Sequence, residues 1–271
     1  MNTFPTELKK VKANFRTYVG MVVLWALGIM IGVNVWFNPS LVPLKNLGFR
    51  LSGLYIPGLT LYPLAIVGPA VAVLIAGESI AGERIKGTLR MILSRPVSRF
   101  QVYTGKMYLT ILYSFFIVFS TLILTSILGI ILFGSGSVIL PVKWENMSAG
   151  FFTLTAPEAV WRMILAGTTV SIYILAFASI AMCLSSFMNH SLASPIFTLV
   201  LTAALSVLQN LEVFKPVSPY LITSHFLDWQ TFLSRSIDWN QYLVGFLVVM
   251  VYLLSGFIIG AFTFIRRDET G

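Results

Sequence analysis

Long stretches without a charged residue constrain this chain more than any other feature of its sequence. Five such stretches cover residues 17–44, 51–77, 107–142, 163–211 and 239–265. A membrane-spanning helix needs about 20 apolar residues, because the hydrocarbon core of a bilayer is about 30 Å thick. Only 10% of the residues are charged, whereas a soluble domain carries about 25%. The sequence therefore predicts a polytopic membrane protein and argues against an ordinary soluble enzyme.

The number of spans follows from the lengths of these stretches. The stretch 163–211 has 49 residues, which is too many for one span and fits two spans joined by a tight turn. Membrane barrel strands of about ten residues would not give such long apolar runs. We therefore expect an all-α fold with six transmembrane helices in one transmembrane domain over residues 1–271. The expected spans are about 17–37, 55–77, 105–133, 159–184, 192–211 and 241–265.

The distribution of basic residues predicts the orientation in the membrane. With six spans both termini lie on one side, and 12 of the 18 Lys and Arg residues fall on that side. Because basic residues favour the cytoplasm in short loops, we expect both termini to be cytoplasmic in the cell membrane. Residues 1–16 are then a cytoplasmic surface helix, and residues 212–240 an outer interfacial or re-entrant segment. The net charge of +8 indicates contact with anionic lipid rather than nucleic acid.

Capping patterns locate the starts of two helices. Ser98 and Gln101 have the spacing of a capping box, in which each residue satisfies a backbone N–H at the start of a helix. Thr155 and Glu158 have the same spacing. The helix that carries the third span should therefore begin before the membrane, and the helix that carries the fourth should begin near Thr155.

Residues that carry enzyme chemistry are scarce. The chain has one cysteine, Cys183, and two histidines, His190 and His225, which the expected topology places on opposite sides. No metal-ligand cluster, disulfide or nucleophile–base group can be built from them. We therefore expect no catalytic, metal-binding or cofactor-binding residues and no enzymatic activity in this chain.

The segment between spans 2 and 3, residues 78–104, carries the most specific pattern. Ile85, Leu89, Ile92 and Leu93 recur at helical spacing among basic residues. That pattern indicates a short amphipathic helix at the membrane surface or in the groove of a partner. A basic loop that rests on lipid headgroups is the alternative interpretation.

The exact residues of this segment resemble those of the type-2 ABC transporter permease family, the membrane subunits of ATP-driven exporters. The resemblance rests on Glu83, Gly87-Thr88, Ile92-Leu93, the run from Ser94 to Arg99, and Gly105-Lys106. The ending from Phe264 to Asp268 is also similar to that of the family.

The resemblance implies a function and several partners. This chain would form the translocation path of an exporter, and a second, identical protomer would complete it. Two separate cytoplasmic ATPase subunits would bind ATP and magnesium and would dock on coupling segments. The implied coupling residues are Glu83, Arg84, Ile85, Gly87, Thr88, Leu89, Arg90, Ile92, Leu93, Arg95 and Pro96.

Two glycine pairs indicate close packing of helices. Gly28 and Gly32 lie four residues apart in the first span, and Gly256 and Gly260 do so in the last. Small residues at this spacing let helix backbones approach, within one protomer or across a dimer.

Two other classes of function stay open. One is a membrane scaffold or assembly factor for a redox or envelope complex, without solute transport. The other is an ion-coupled secondary carrier, which needs a titratable group on its pathway. Glu78, at the inner end of the second span, is the nearest candidate for that group.

Overall fold

A computed structural model describes residues 15–38, 52–93, 97–143 and 146–267. Most of these residues are helical. The helices are α1 (Phe15–Phe37), α2 (Tyr55–Ile85), α3 (Thr88–Leu93), α4 (Arg99–Phe133), α5 (Ala156–Phe187), α6 (Ala193–Leu208) and α7 (Trp239–Arg266). Strands β1 (Val138–Lys143) and β2 (Asn146–Leu154) lie between α4 and α5. The expected surface helix over residues 1–16 falls almost wholly outside the described residues.

Five of these helices, α1, α2, α4, α5 and α7, are long and apolar enough to cross a membrane. The expected sixth span corresponds to α6, which has only 16 residues. At 1.5 Å per residue α6 is about 24 Å long, which is short of the hydrocarbon thickness of about 30 Å. The expectation of six full-length spans is therefore not met.

The chain continues beyond α6 as four short 3₁₀ helices, which we call the outer segment (residues 212–233). They cover Glu212–Phe214, Ser218–Tyr220, Ile222–His225 and Asp228–Leu233. Pro216 and Pro219 explain why the α-helix does not resume, because each lacks a backbone N–H and restricts the residue before it. The expected re-entrant or interfacial segment is thus a series of tight turns.

The helix starts agree in part with the capping patterns. Ser98 Oγ accepts a hydrogen bond from the Gln101 backbone N–H at 3.2 Å, and Gln101 Oε1 accepts from the Ser98 N–H at 3.2 Å. Thr155 precedes α5 but makes no side-chain capping bond. Glu158 instead pairs with Arg162 one turn later, at 2.8 Å. The Glu158 carboxylate thus forms an ion pair with Arg162 four residues later instead of closing a capping box with Thr155.

The β-hairpin corrects the expectation of a wholly helical chain. Strands β1 and β2 are antiparallel, with Val138 opposite Leu154 and Leu140 opposite Phe152. Val138, Leu140 and Leu154 are buried, because alternate residues of a strand point to the same face. Gly134 ends α4 with a φ of 79°, a left-handed conformation that favours glycine. The apolar run thus changes from helix to strand without a charged residue to mark the boundary.

Helices α2 and α5 form the centre of the bundle. In the most apolar window of α5, 78% of the residues are buried, against 22% in α1 and in α7. Small residues on α5, among them Ala166, Ala176 and Ala181, are fully buried and permit close approach of neighbouring helices. Helices α1 and α7 therefore expose large apolar side chains on the outside of the bundle, and α5 lies among the other helices.

The bundle has two distinct ends. At the end that we call the basic end, Arg84, Arg99 and Arg267 lie near the C-termini of α2, α5 and α7. At the opposite end, which we call the hairpin end, the Gly53 N–H donates to the Gly134 carbonyl at 3.0 Å. Arg162 Nη1 donates to the Ser234 carbonyl at 2.7 Å at the same end. The hairpin and the outer segment thus lie on the side opposite α3.

Candidate functional site

The junction between α2 and α3 lies at the basic end and contains most of the predicted coupling residues. Helix α2 ends at Ile85, and Gly87 adopts a φ of 70°, which an L-residue with a side chain rarely adopts. Thr88 Oγ1 donates to the Glu83 carbonyl at 3.2 Å and closes the turn. The chain therefore changes direction at Gly87, and α3 begins as a separate helix at Thr88.

The exposure of the apolar residues differs from the expected pattern. Leu89 is fully buried and belongs to the core, and Ile92 packs against that core. Ile85 is 57% exposed and Met91 is 63% exposed. The expectation that Ile85, Leu89 and Ile92 share one helical face is wrong, because the break at Gly87 places Ile85 on a different helix. Among the described side chains of this junction, Ile85 and Met91 are apolar and exposed.

A buried ion pair connects this junction to α4. Lys106 Nζ lies 2.7 Å from Glu83 Oε2, and the two side chains are 2% and 16% exposed. Lys106 also donates to the Ser79 carbonyl at 2.8 Å. Removal of one charge from a buried ion pair strongly destabilises the folded protein, because the other charge stays buried without that partner. Glu83 thus holds the end of α2 against the first turns of α4.

Two arginines connect the same end to α5. Arg84 Nη1 donates to the Met188 carbonyl at 2.8 Å. Arg267 Nη1 donates to the carbonyls of Ser186 and Phe187 at 2.8 and 2.6 Å. The last carbonyls of a helix have no partner within the helix and carry the negative end of its dipole. Both guanidinium groups therefore satisfy the C-terminus of α5 and fix it to the ends of α2 and α7.

The remaining predicted coupling residues are placed only in part. Arg90 and Leu93 belong to α3. Arg95 and Pro96 lie outside the described residues. Glu78 is close to the end of α2 and belongs to the same helix as Glu83.

All four predicted packing glycines lie against neighbours within this chain. A Cβ on Gly28 would lie 2.6 Å from Thr125 Cγ2, and one on Gly32 would lie 2.7 Å from Leu128 Cδ2. One on Gly256 would lie 2.8 Å from Ser179 Oγ. Gly260 is tighter still, with the Tyr103 hydroxyl 2.2 Å from such a Cβ. These glycines bring α1 close to α4, and α7 close to α4 and α5.

Two of the charged pairs that sequence reasoning missed have both side chains less than 20% exposed. One is Glu83–Lys106, and the other is His225–Asp228 in the outer segment, with Nδ1 2.9 Å from Oδ2. The spacing of three residues between His225 and Asp228 was a usable signal, but the aromatic residues around them indicated only an interfacial segment. Within the described ranges, no group of three His, Cys, Asp or Glu residues could hold a metal ion.

Comparisons with known proteins correct the expected family. A family model described as "Protein of unknown function (DUF2705)" matches residues 51–270. The chain is 23% identical over 219 residues to the "Uncharacterized membrane protein YdbK" of Bacillus subtilis (strain 168), which covers 76% of this chain and 79% of that protein. The expected membership of the type-2 ABC transporter permease family is therefore wrong. That resemblance rested on a short segment between two spans. Basic residues are common in cytoplasmic loops of membrane proteins in general, so their presence beside apolar residues does not identify a family. Together with the five long apolar helices, the match to a membrane protein indicates a multi-pass membrane protein.

Proposed function

We propose, for a chain that belongs to the DUF2705 family, that it is the permease subunit of an exporter driven by a separate cytoplasmic ATPase chain. ATP and magnesium would bind to two copies of that ATPase. This chain would contribute no catalytic residue and would pair with a second, identical protomer in the membrane. The basic end, with α3, would face the cytoplasm.

The observation that carries this proposal is the exposed patch at the junction of α2 and α3, formed by Ile85, Lys86 and Met91. All three side chains are exposed, although Ile85 and Met91 are apolar. On the predicted topology this patch faces the cytoplasm, because it lies among the basic residues between two spans. Apolar side chains beside a basic one suit a protein partner, in which apolar contact gives affinity and charge gives orientation.

The contacts of the junction supply a route by which a partner's motion would reach the spans. Glu83–Lys106 connects the junction to α4, and Arg84–Met188 connects it to α5. Since α5 is the most buried helix, a displacement of the junction would move the centre of the bundle. Leu89 within the core would keep α3 from moving independently of α2.

The test compares two variants of the full-length chain in native membranes. The variant I85E/M91E places carboxylates in the exposed patch. The control V213E changes a residue of the outer segment that is 84% exposed. Each protein is purified in mild detergent together with the phosphate-loop ATPase encoded beside its gene, and ATP hydrolysis is measured per mole of this chain. We expect hydrolysis to accompany the wild type and V213E and to be lost from I85E/M91E.

Three results would overturn the proposal. One is the absence of a phosphate-loop ATPase beside the gene. Another is ATP hydrolysis by this chain alone, and the third is equal ATPase recovery with I85E/M91E and the wild type. Replacement of Leu89 is a poor test, because a charge at this buried position would destabilise the bundle itself.

An ion-coupled carrier is the second candidate, and the partly buried His225–Asp228 pair is the observation that favours it. Such a carrier needs a titratable group on its pathway, and this pair lines a small cavity together with residues of α5 and α7. Solute movement in sealed vesicles that continues without ATP and stops with an ionophore would favour the carrier. Vesicles in which neither ATP nor an ion gradient moves any solute would favour the scaffold.

A further inference from the structure

The outer segment is packed firmly onto the bundle at the hairpin end. Ile222, Trp229, Phe232 and Leu233 are at most 1% exposed. Phe226 packs edge-to-face against Tyr173 of α5, with ring centroids 5.7 Å apart. The segment therefore covers the outer ends of α5 and α7, and a change in its attachment would alter access to that part of the bundle.

His225 lies at the point where the outer segment meets α7, and both of its ring nitrogens face acceptors. Nδ1 is 2.9 Å from Asp228 Oδ2, and Nε2 is 2.9 Å from the Pro219 carbonyl oxygen. A backbone carbonyl only accepts hydrogen bonds, and so does an ionised carboxylate. With Asp228 ionised, both contacts are satisfied together only when both nitrogens carry a proton. The geometry therefore suits an imidazolium–carboxylate pair.

The backbone of α7 lies directly on this pair. A Cβ on Gly245 would be 1.9 Å from Asp228 Oδ2 and 2.6 Å from His225 Nδ1. Only a residue without a side chain lets the helix approach so closely. The His225 and Asp228 side chains are 12% and 14% exposed, so little water competes for the bond. A movement of the His225–Asp228 pair would therefore change the contact between the outer segment and α7.

The other polar groups near the pair come from two helices. Tyr173 and Thr169 of α5 and Tyr242 of α7 line the same small cavity as His225 and Asp228. The Thr169 and Tyr242 hydroxyls are 3.2 Å apart. Arg162 of α5 contacts the carbonyl of Phe232, at the far end of the outer segment, and that of Ser234 just after it, and it pairs with Glu158. Among the described residues that line the cavity, Asp228 is therefore the one with an acidic side chain.

The chemistry of the pair fixes the sign of its pH dependence. The hydrogen bond to Asp228 raises the pKa of His225 above its ordinary value of about 6.5, although burial opposes this. A group whose pKa is higher in the folded state contributes stability that is fully present below its unfolded value. That contribution is lost as the pH rises through the folded value. The contact should therefore hold below the unfolded-state pKa of about 6.5 and weaken as the pH rises through the raised pKa of the folded state.

We propose that His225 and Asp228 form a proton-binding latch that holds the outer segment against α7 while the imidazole is protonated. Loss of one proton removes one of the two hydrogen bonds and leaves the carboxylate without its counter-ion. The segment Ser218–Leu233 then detaches from Gly245 in part and opens the outer ends of α5 and α7. This latch goes beyond the proposed function, because it acts without the ATPase.

The first experiment follows the titration of His225 in the purified full-length protein by NMR with labelled histidine. The chain has two histidines, so H190Q leaves the signal of His225 alone. We expect the midpoint of His225 to lie above 6.5 in H190Q and to fall in H190Q/D228N. An unshifted or lower midpoint in H190Q, or one that D228N does not lower, would overturn the latch.

The second experiment measures amide hydrogen exchange in residues 218–233 between pH 6 and pH 9, corrected for the intrinsic exchange rate. Exchange reports local opening of a segment. We expect the corrected rate to rise severalfold with pH in the wild type and in the control H190Q. In H225N it should be high and independent of pH. A pH dependence in H225N equal to that of the wild type would overturn the latch, and so would a flat profile in the wild type.

D228N provides the check if H225N does not fold. It keeps the size of the side chain and a hydrogen-bond acceptor but removes the charge. Its corrected exchange should begin to rise at a lower pH than in the wild type. An unchanged profile in D228N would show that the charge pair does not control the segment.

Discussion

Replacement of Lys106 by Met is the sharpest test of how the basic end is held together. The change keeps the length of the side chain but removes the ammonium that lies 2.7 Å from Glu83 Oε2 and 2.8 Å from the Ser79 carbonyl oxygen. Glu83 then keeps a negative charge in a site where its side chain is only 16% exposed. We expect K106M to lower the free energy of unfolding substantially.

The magnitude follows from the distance and the burial. Two unit charges 2.7 Å apart attract by about 6 kcal/mol at an effective dielectric constant of about 20. The cost of removing both charges from water offsets part of that attraction, but loss of one partner from a buried pair still costs about 3–5 kcal/mol. The double variant E83Q/K106M should be less destabilised than the sum of the single variants, because it removes both charges of the pair together.

The chain contains a matched control. Lys215 and Glu212 also form an ion pair, at 3.2 Å, but their side chains are 68% and 89% exposed. Exposed pairs contribute about 0–1 kcal/mol, so K215M should have almost no effect. Unfolding of each variant is followed by tryptophan fluorescence during SDS titration in mixed micelles. An effect of K106M no larger than that of K215M, or strict additivity of E83Q and K106M, would refute this reasoning.

Two further predictions concern packing and orientation. G129A should lower the free energy of unfolding by at least about 1–3 kcal/mol, because overpacking is costly and the new Cβ would lie 2.1 Å from the Gly53 carbonyl oxygen. The control G136A should leave the free energy of unfolding unchanged, since nothing lies within 4 Å of a Cβ there. Equal midpoints for G129A and G136A in the same SDS titration would contradict this prediction. In a background without the native cysteine, K86C should react with an impermeant maleimide only from the cytoplasmic side, and K215C only from the opposite side. Labelling of both from one side would contradict the predicted orientation.

The sequence predicts the membrane class and the long helices well, because a long apolar run is a one-dimensional property. The candidate membrane span within α1, Thr17–Phe37, has the bounds expected for the first span, and Ser98 caps the start of α4 as predicted. The short α6 and the hairpin were not foreseen. In both regions the backbone conformation changes within a stretch that has no charged residue. The spacing of charges therefore could not show where the helix ends.

The candidate sites depend on contacts that no local pattern contains. Glu83 and Lys106 are 23 residues apart in sequence and form a pair only because α2 and α4 pack side by side. Leu89 fits an amphipathic pattern with Ile85, yet Gly87 separates the two into different helices. His225 and Asp228 are close in sequence, but the approach of Gly245 from α7 gives the pair its setting.

The lengths of α2 and α4 have a consequence for where a partner would meet this protein. These helices have 31 and 35 residues, so at 1.5 Å per residue they are about 46 and 52 Å long. They are level at the hairpin end, where the Gly53 N–H reaches the Gly134 carbonyl. A hydrocarbon layer of about 30 Å cannot contain either helix if it stands upright, and a surplus of about 16–22 Å extends past that layer at the basic end. The protein would thus raise α3 on a short stalk above the lipid headgroups, where a water-soluble subunit could reach it without entering the bilayer.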